Sequence, residues 1–465
     1  MRASRRAFLA GVAAAAVAPS WAPARAAEAS YRLEAAPRRL NLVGTAHPDT
    51  DLWTFNGATP GPVLRVRQGE KLRVAFENRL PEESTIHWHG IRLPNAMDGV
   101  PHLTQPPVPP GGRFQYEFTA PDAGTFWYHP HANSAGQLGR GLYGALVVEE
   151  PEPLPCDRDE AWVLSDFRLD REARIVADFG NLRDASHAGR IGNTVTVNGK
   201  VAERFALRAG ERLRLRLVNA ANARIFRLRF EGHAPMVIAL DGHPVEPHPV
   251  GEGIVLGPGM RADLMLDATA EPGSRHRVVD DWYRDSAYRL LDLEYAGERL
   301  RRAPPQEPVR APKANPLPEP DLAKAERLRL VLDGGAMSQE LQRATPDERR
   351  KIGERMRGGG VWTLNSRAMT GHAHHGHEPM FRLKRGRSYA IEVRNYTAWY
   401  HPVHLHGVAF RVVGDARRGW RDTVLVAPNE RMEIAFVADN PGDWMIHCHV
   451  LEHQAAGMMA TMRIE

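Results

Sequence analysis

The chain has 465 residues, 43% hydrophobic and 25% charged, an ordinary soluble composition that excludes collagen-like and wholly disordered classes; the length suggests about three domains. Most of the formal charge of +5 comes from the first 26 residues, where Arg2, Arg5, Arg6 and Arg25 meet no acid, and beyond them 57 basic residues face 56 acidic ones. The electrostatic footprint of nucleic-acid binding is therefore missing. Two cysteines, Cys156 and Cys448, rule out a disulfide framework, and no run of strongly apolar residues beyond the leader is long enough for a membrane span.

Ser4-Arg5-Arg6-Ala7-Phe8-Leu9, an Ala/Val-rich run and Ala24-Arg25-Ala26 read as a twin-arginine signal over residues 1–26 with an A-x-A cleavage pattern. That route carries folded proteins. The expectation is a mature chain starting near Ala27, exported by the twin-arginine machinery with its cofactor bound, in the bacterial periplasm or outside the cell.

Past residue 30 the chain alternates in short strands between Gly, Pro and Asn turns: Val63–Val66, Lys71–Phe76 and Leu213–Leu217 are examples. This is the period of half-buried antiparallel sheet; the best helical pattern lies near 338–357. One unit occurs three times. Gly69 and Asn78, Gly210 and Asn219, and Gly386 and Asn395 are each nine residues apart with an alternating strand between them. Nine and eleven residues past Asn78 and Asn395 stand His87/His89 and His404/His406; past Asn219 the same offsets give Leu228 and Phe230. Gly124 and Gly442 each precede a histidine, His129 and His447, by five. The pattern predicts three homologous β-domains, of which the second has lost its ligands.

The expected domain boundaries are 30–150, ending before a Pro-rich bend, then 156–300, a Pro-rich connector over 301–324 with seven prolines between 304 and 320, and 325–465. Such a connector is stiff and extended. Cys156 has no partner and is expected to be a buried structural thiol.

Random placement of 21 histidines would give about one H-x-H pair; the chain has six. Four are His87/His89, His129/His131, His404/His406 and His447/His449, and two lie in the run His372-Ala373-His374-His375-Gly376-His377. On a strand, residues i and i+2 point to one face, so H-x-H presents two imidazoles to a metal cluster. Cys448, between two same-face histidines, points the opposite way, where His453, Met458 and His401 can close on it. Two imidazoles, a thiolate and a weak thioether make a blue-copper site.

His-Trp-His-Gly (87–90), His-Pro-His (129–131), His-Pro-Val-His-Leu-His-Gly (401–407) and His-Cys-His-Val-Leu-Glu-His-Gln-Ala-Ala-Gly-Met (447–458) resemble the four motifs of the multicopper oxidases, over the whole mature chain and in the three-domain laccase-like or cuprous-oxidase-like branch. The resemblance implies an all-β fold of three cupredoxin-like sandwiches with a trinuclear cluster between the first and third. It implies four copper ions: type 1 on His401, Cys448, His453 and Met458; type 2 on His87 and His404; and a type 3 pair on His89, His129, His131, His406, His447 and His449. Dioxygen would be reduced to water, with substrate electrons entering at an exposed edge of His453 or His401. Asp98, eleven residues after His87, stands where bacterial members place an acid beside the cluster, and is expected to relay protons. Gln454 departs from the family, since cuprous oxidases often carry Glu there and glutamine cannot deliver a proton.

Substrates left open are phenols, aromatic amines and Cu(I). Met337, Met356, Met369 and Met380 are scattered where cuprous oxidases carry a dense Met segment, and His372, His374, His375 and His377 would either capture copper or form a solvated loop. Trp420 and Asp422 read as packing and turn residues. The rival class is a copper-resistance protein that sequesters metal with incidental oxidation; a ligand-free envelope protein and a copper nitrite reductase fit the complete ligand set poorly. A monomer is expected.

Overall fold

The computed structural model describes residues 28–371, 378–417 and 419–465; the leader and the 372–377 histidines lie outside them. The strands form six sheets that pair along the chain. A four-stranded sheet built on Glu28–Leu40 and Lys71–Asn78 accompanies a four-stranded sheet holding His87–His89 and Gly124–His129. Six- and five-stranded sheets follow between Arg158 and Tyr295, and again between Glu326 and Ile464. The all-β, three-sandwich architecture is the one expected.

The repeat has a physical cause. In each sandwich the first strand runs parallel to the strand of the repeated unit: Glu28–Ala35 beside Lys71–Asn78, Arg158–Leu164 beside Leu213–Asn219, and Glu326–Leu332 beside Tyr389–Asn395. Gly69, Gly210 and Gly386 open those units at φ of +82°, +85° and +79°, which glycine adopts without a Cβ clash, and each N–H donates to the carbonyl of an alanine, Ala120, Ala268 or Ala438. Asn78, Asn219 and Asn395 close them. Each side-chain oxygen accepts from the backbone N–H two residues on, and each amide donates to a carbonyl four or five residues on and to a carbonyl at least thirty residues away. A buried amide satisfied this way fixes the turn into the next strand, which is the strand that carries the histidines. In the second sandwich that strand is Phe226–Phe230, and Leu228 and Phe230 are buried in its apolar core.

The helical pattern near 338–357 becomes two helices, Gln339–Arg343 and Pro346–Arg357. Thr345 divides them and caps the second in a reciprocal box with Glu348. The Pro-rich connector is extended and pinned. Asn315 is buried, accepting from Ala123 N–H and donating to the Ala123 carbonyl, both at 2.9 Å, while Arg212 donates to the carbonyls of Pro305 and Glu307. Cys156 is half-buried rather than buried, since it lies outside the sheet, just before the strand Arg158–Phe167. Among the described residues, no helix is long and apolar enough to cross a membrane.

Candidate metal centre

Two donor sets lie back to back about Cys448. The strands His401–Leu405 and Gly442–Cys448 pair antiparallel, with Val403 opposite Cys448 and His404 opposite His447. In the first sandwich His87 lies opposite His129. All ten motif histidines and Cys448 are buried.

On one side of the strand stand His401, Cys448 and His453. The short helix Leu451–Ala455 returns His453 to the thiol, and Met458 N–H then donates to the His453 carbonyl while Cys448 N–H donates to that of Met458. The thiol sulfur is 3.3 Å from His401 Nδ1 and 3.6 Å from His453 Nδ1. The tautomers follow from the outer bonds. Thr397 Oγ1 donates to Asn395, so it accepts from His401 Nε2 at 2.8 Å; His453 Nε2 donates to the His187 carbonyl at 2.6 Å. Both rings therefore turn an Nδ1 lone pair to the sulfur. Burial raises the thiol well above its usual range, lowers His401 well below its own, and brings His453 to about 3. Met458 is buried in the same core.

This arrangement corrects one expectation. Neither His453 nor His401 has an exposed edge, because a turn of the second sandwich covers the first and Thr397 the second.

On the other side the remaining eight histidines converge from the first and third sandwiches, with donor atoms within 4.8 Å in the groups His87/His89/His404, His89/His129/His449 and His131/His406/His447. One nitrogen of most rings is tied to an oxygen. His87 Nδ1 donates to the Asp98 carbonyl, His129 Nδ1 to Pro130, His404 Nδ1 to Asp422 and His447 Nδ1 to Cys448, at 2.8–3.0 Å. His406 Nδ1 donates to Asp98 Oδ2 at 2.9 Å, and His89 Nε2 to Asp422 Oδ1 at 3.1 Å. The other nitrogens of His87, His89, His129 and His404, and both of His449, have no hydrogen-bond partner despite burial. His406 Nε2 and His447 Nε2, both left as acceptors, face each other at 3.1 Å. Facing lone pairs and orphaned buried ring nitrogens are costly and are what a shared cation resolves, so the residues fit a metal cluster. Burial, first among the causes, lowers His89, His129, His406 and His449 well below the ordinary histidine value, which leaves these rings neutral and ready to ligate.

Asp98 is not a solvated turn residue. It is buried, with Oδ1 3.2 Å from His87 Nδ1 and Oδ2 bound to His406. Gln454 is buried with an unpartnered oxygen.

Trp420 packs as expected, under Arg411. Asp422 lies in a bend, as expected, but does more than turn the chain: it is buried beside His89 and His404 and takes both guanidinium Nη atoms of Arg261. Burial alone would raise its carboxyl; Arg261, His404 and His89 outweigh that and hold it well below the usual range. Neither residue belongs to an H-x-H motif, so spacing could not find them.

Family profiles described as multicopper oxidase match residues 40–153, 161–284 and 345–465. The chain is 30% identical to the multicopper oxidase MmcO of Mycobacterium tuberculosis, over 92% of this chain and 85% of that protein. The chain belongs to the multicopper oxidases. It is a copper-dependent oxidoreductase of that family, and the solved structure of a Pseudomonas thermotolerans multicopper oxidase superposes with a TM-score of 0.83 at 39% identity, over 95% of this chain and all of that one. It also resembles a copper resistance protein A homolog of Pseudomonas syringae pv. tomato, 26% identical over the whole chain and 99% of the relative.

Proposed function

We propose that this multicopper oxidase couples one-electron oxidation of phenols, aromatic amines or Cu(I) to the four-electron reduction of dioxygen to water, after twin-arginine export by residues 1–26 to the periplasm or cell exterior. One observation carries the reading: Cys448 places its sulfur among His401 and His453 while its neighbours His447 and His449 enter the groups on the opposite face. One strand thus links an electron-accepting site covalently to a cluster. His401, Cys448, His453 and Met458 would hold type 1 copper, and His87 and His404 type 2. The type 3 pair would divide as His89, His129, His449 and His131, His406, His447, the two triads whose donors converge. The four bound ions would supply one-electron storage, enough to take dioxygen to water.

The chain's own residues do the rest. Carbonyls and carboxylates fix each tautomer before metal arrives. The Cys448 thiol must give up its proton when a cation binds. Asp98, whose Oδ2 accepts from His406 Nδ1, would relay protons to the cluster. Gln454 keeps its position but has no acid proton.

Support for Cu(I) among the substrates is a cavity of about 490 Å³ lined by Met369, Met380 and Met459 with Glu378 and Arg367, since thioethers suit Cu(I). The same cavity, with the likeness to a copper resistance protein, supports the second reading, copper sequestration with incidental oxidation. Oxygen uptake by copper-loaded mature protein decides, with cuprous ion and a methoxyphenol run in one assay. Faster uptake with cuprous ion makes the enzyme a cuprous oxidase, faster uptake with the phenol a laccase-like one, and no uptake with copper bound favours sequestration.

A further inference from the structure

The second sandwich contributes no histidine to the converging groups, yet it sends a side chain into the same space. Arg261 begins the strand Arg261–Asp267 and is fully buried. Its Nη1 and Nη2 donate to the two carboxylate oxygens of Asp422 at 2.7 and 2.5 Å. Nη1 also donates to the Gly259 carbonyl at 3.1 Å, and Nε to the Thr125 carbonyl at 3.3 Å. Asp241 backs the guanidinium, with an oxygen 3.5 Å from Nη1. Asp422 in turn accepts from His89 Nε2, and its backbone carbonyl from His404 Nδ1. A guanidinium of the second sandwich, a carboxylate of the third and an imidazole of the first thus form one hydrogen-bonded line.

The packing around this line is close. A Cβ on Gly90, the residue after His89, would stand 2.3 Å from Arg261 Nη2 and 2.5 Å from Asp422 Oδ2. The glycine of the His-Trp-His-Gly motif therefore makes room for the ion pair. His89 is also the ring that turns Nδ1 to the cluster, because Asp422 takes its Nε2.

We propose that Arg261 is a positioning residue for the copper cluster: by gripping both oxygens of Asp422 it fixes the carboxylate that sets the tautomer and orientation of His89 and supports His404. The ligand-free sandwich thereby aligns the ligands of the other two. The inference rests on the copper reading above. A two-pronged guanidinium pair fixes both the position and the plane of a carboxylate, which a lysine ammonium does not. Loss of such outer partners typically costs about 10–100-fold in metal affinity or activity.

The test uses the full-length, copper-loaded protein as wild type, Arg261→Met, Arg261→Lys and Arg212→Met. Arg212 is a buried guanidinium in the same sheet, paired with the half-buried Asp267, and controls for the loss of an arginine–carboxylate pair of this sandwich as such. Copper per chain and the paramagnetic resonance of the cluster copper are read, with the blue absorption at Cys448 as the internal sign of a folded third sandwich. Expected are an intact blue band with cluster copper bound about ten-fold or more weakly in Arg261→Met, an altered resonance in Arg261→Lys, and wild-type copper in Arg212→Met. Wild-type copper content and resonance in Arg261→Met overturn the proposal, as does equal loss in Arg212→Met. If Arg261→Met does not fold, an unchanged resonance in Arg261→Lys overturns it. Wild-type protein that takes up no cluster copper overturns the copper reading instead.

Discussion

The Nε2 atom of His453 donates a 2.6 Å hydrogen bond to the backbone carbonyl of His187, so a turn of the second sandwich closes over a ring of the third. Outside that bond the half-buried His187 ring meets Trp399 at 5.4 Å. Tyr400 follows Trp399, and Leu182 and Met337 flank the same turn. These three are half of the exposed large hydrophobic residues among those described. If a reductant docks over this turn, its electron reaches His453 across His187. His187→Ala keeps the carbonyl and removes the ring, so the blue absorption should stay while methoxyphenol oxidation under saturating oxygen becomes faster. An unchanged rate would place reductant docking elsewhere.

Cys448→Ser should bleach the blue absorption and abolish oxidation while the far-ultraviolet circular dichroism keeps its β form, because the sulfur makes one backbone contact, from Val450 N–H at 3.4 Å. Retained turnover would sink the covalent link through this strand. Met458→Leu fills the same apolar space without a thioether; the site should survive with a raised reduction potential, as expected on losing a weak axial ligand. An unchanged potential in a redox titration would assign the axial position to another group.

What could be read from the sequence was what repeats or clusters locally. Gly69, Gly210 and Gly386 with their asparagines marked equivalent strands because each needs the same left-handed turn and the same buried amide bonds. The H-x-H pairs were legible because strand alternation alone puts both rings on one face. Asp422 and Arg261 were not, since 161 residues separate them and only the docking of two sandwiches makes them a pair. The cover over His453 was hidden for the same reason. It comes from a turn of another sandwich through a backbone atom, which no residue type announces.

Asp98→Asn retains the backbone carbonyl that holds His87 and one side-chain acceptor for His406, so copper content should be preserved. It removes the group that can take up and release a proton. Oxygen turnover should fall by about 100-fold or more, and stopped-flow absorption should show the blue copper still bleached at the wild-type rate by substrate. Unchanged oxygen turnover would show that protons reach the cluster by another route.

The copper-free protein offers a pH test one residue behind Arg261. Burial, reinforced by the Asp422 charge, lifts Asp241 to about 6, while burial lowers His243 to about 4. The two act in opposite senses. Between about pH 6.5 and 4 the unfolded chain binds more protons at His243 than the native state does, so that group's contribution falls as the medium is acidified. Between about pH 6 and 3.8 the native state binds more protons at Asp241, so stability is gained over that window. Asp241→Asn removes the gain and leaves the loss. Relative to wild type, its unfolding free energy should fall progressively as the pH drops from about 6 towards 4, read from urea midpoints at several pH values. Parallel curves for the two proteins would mean that Asp241 is already ionised throughout this range.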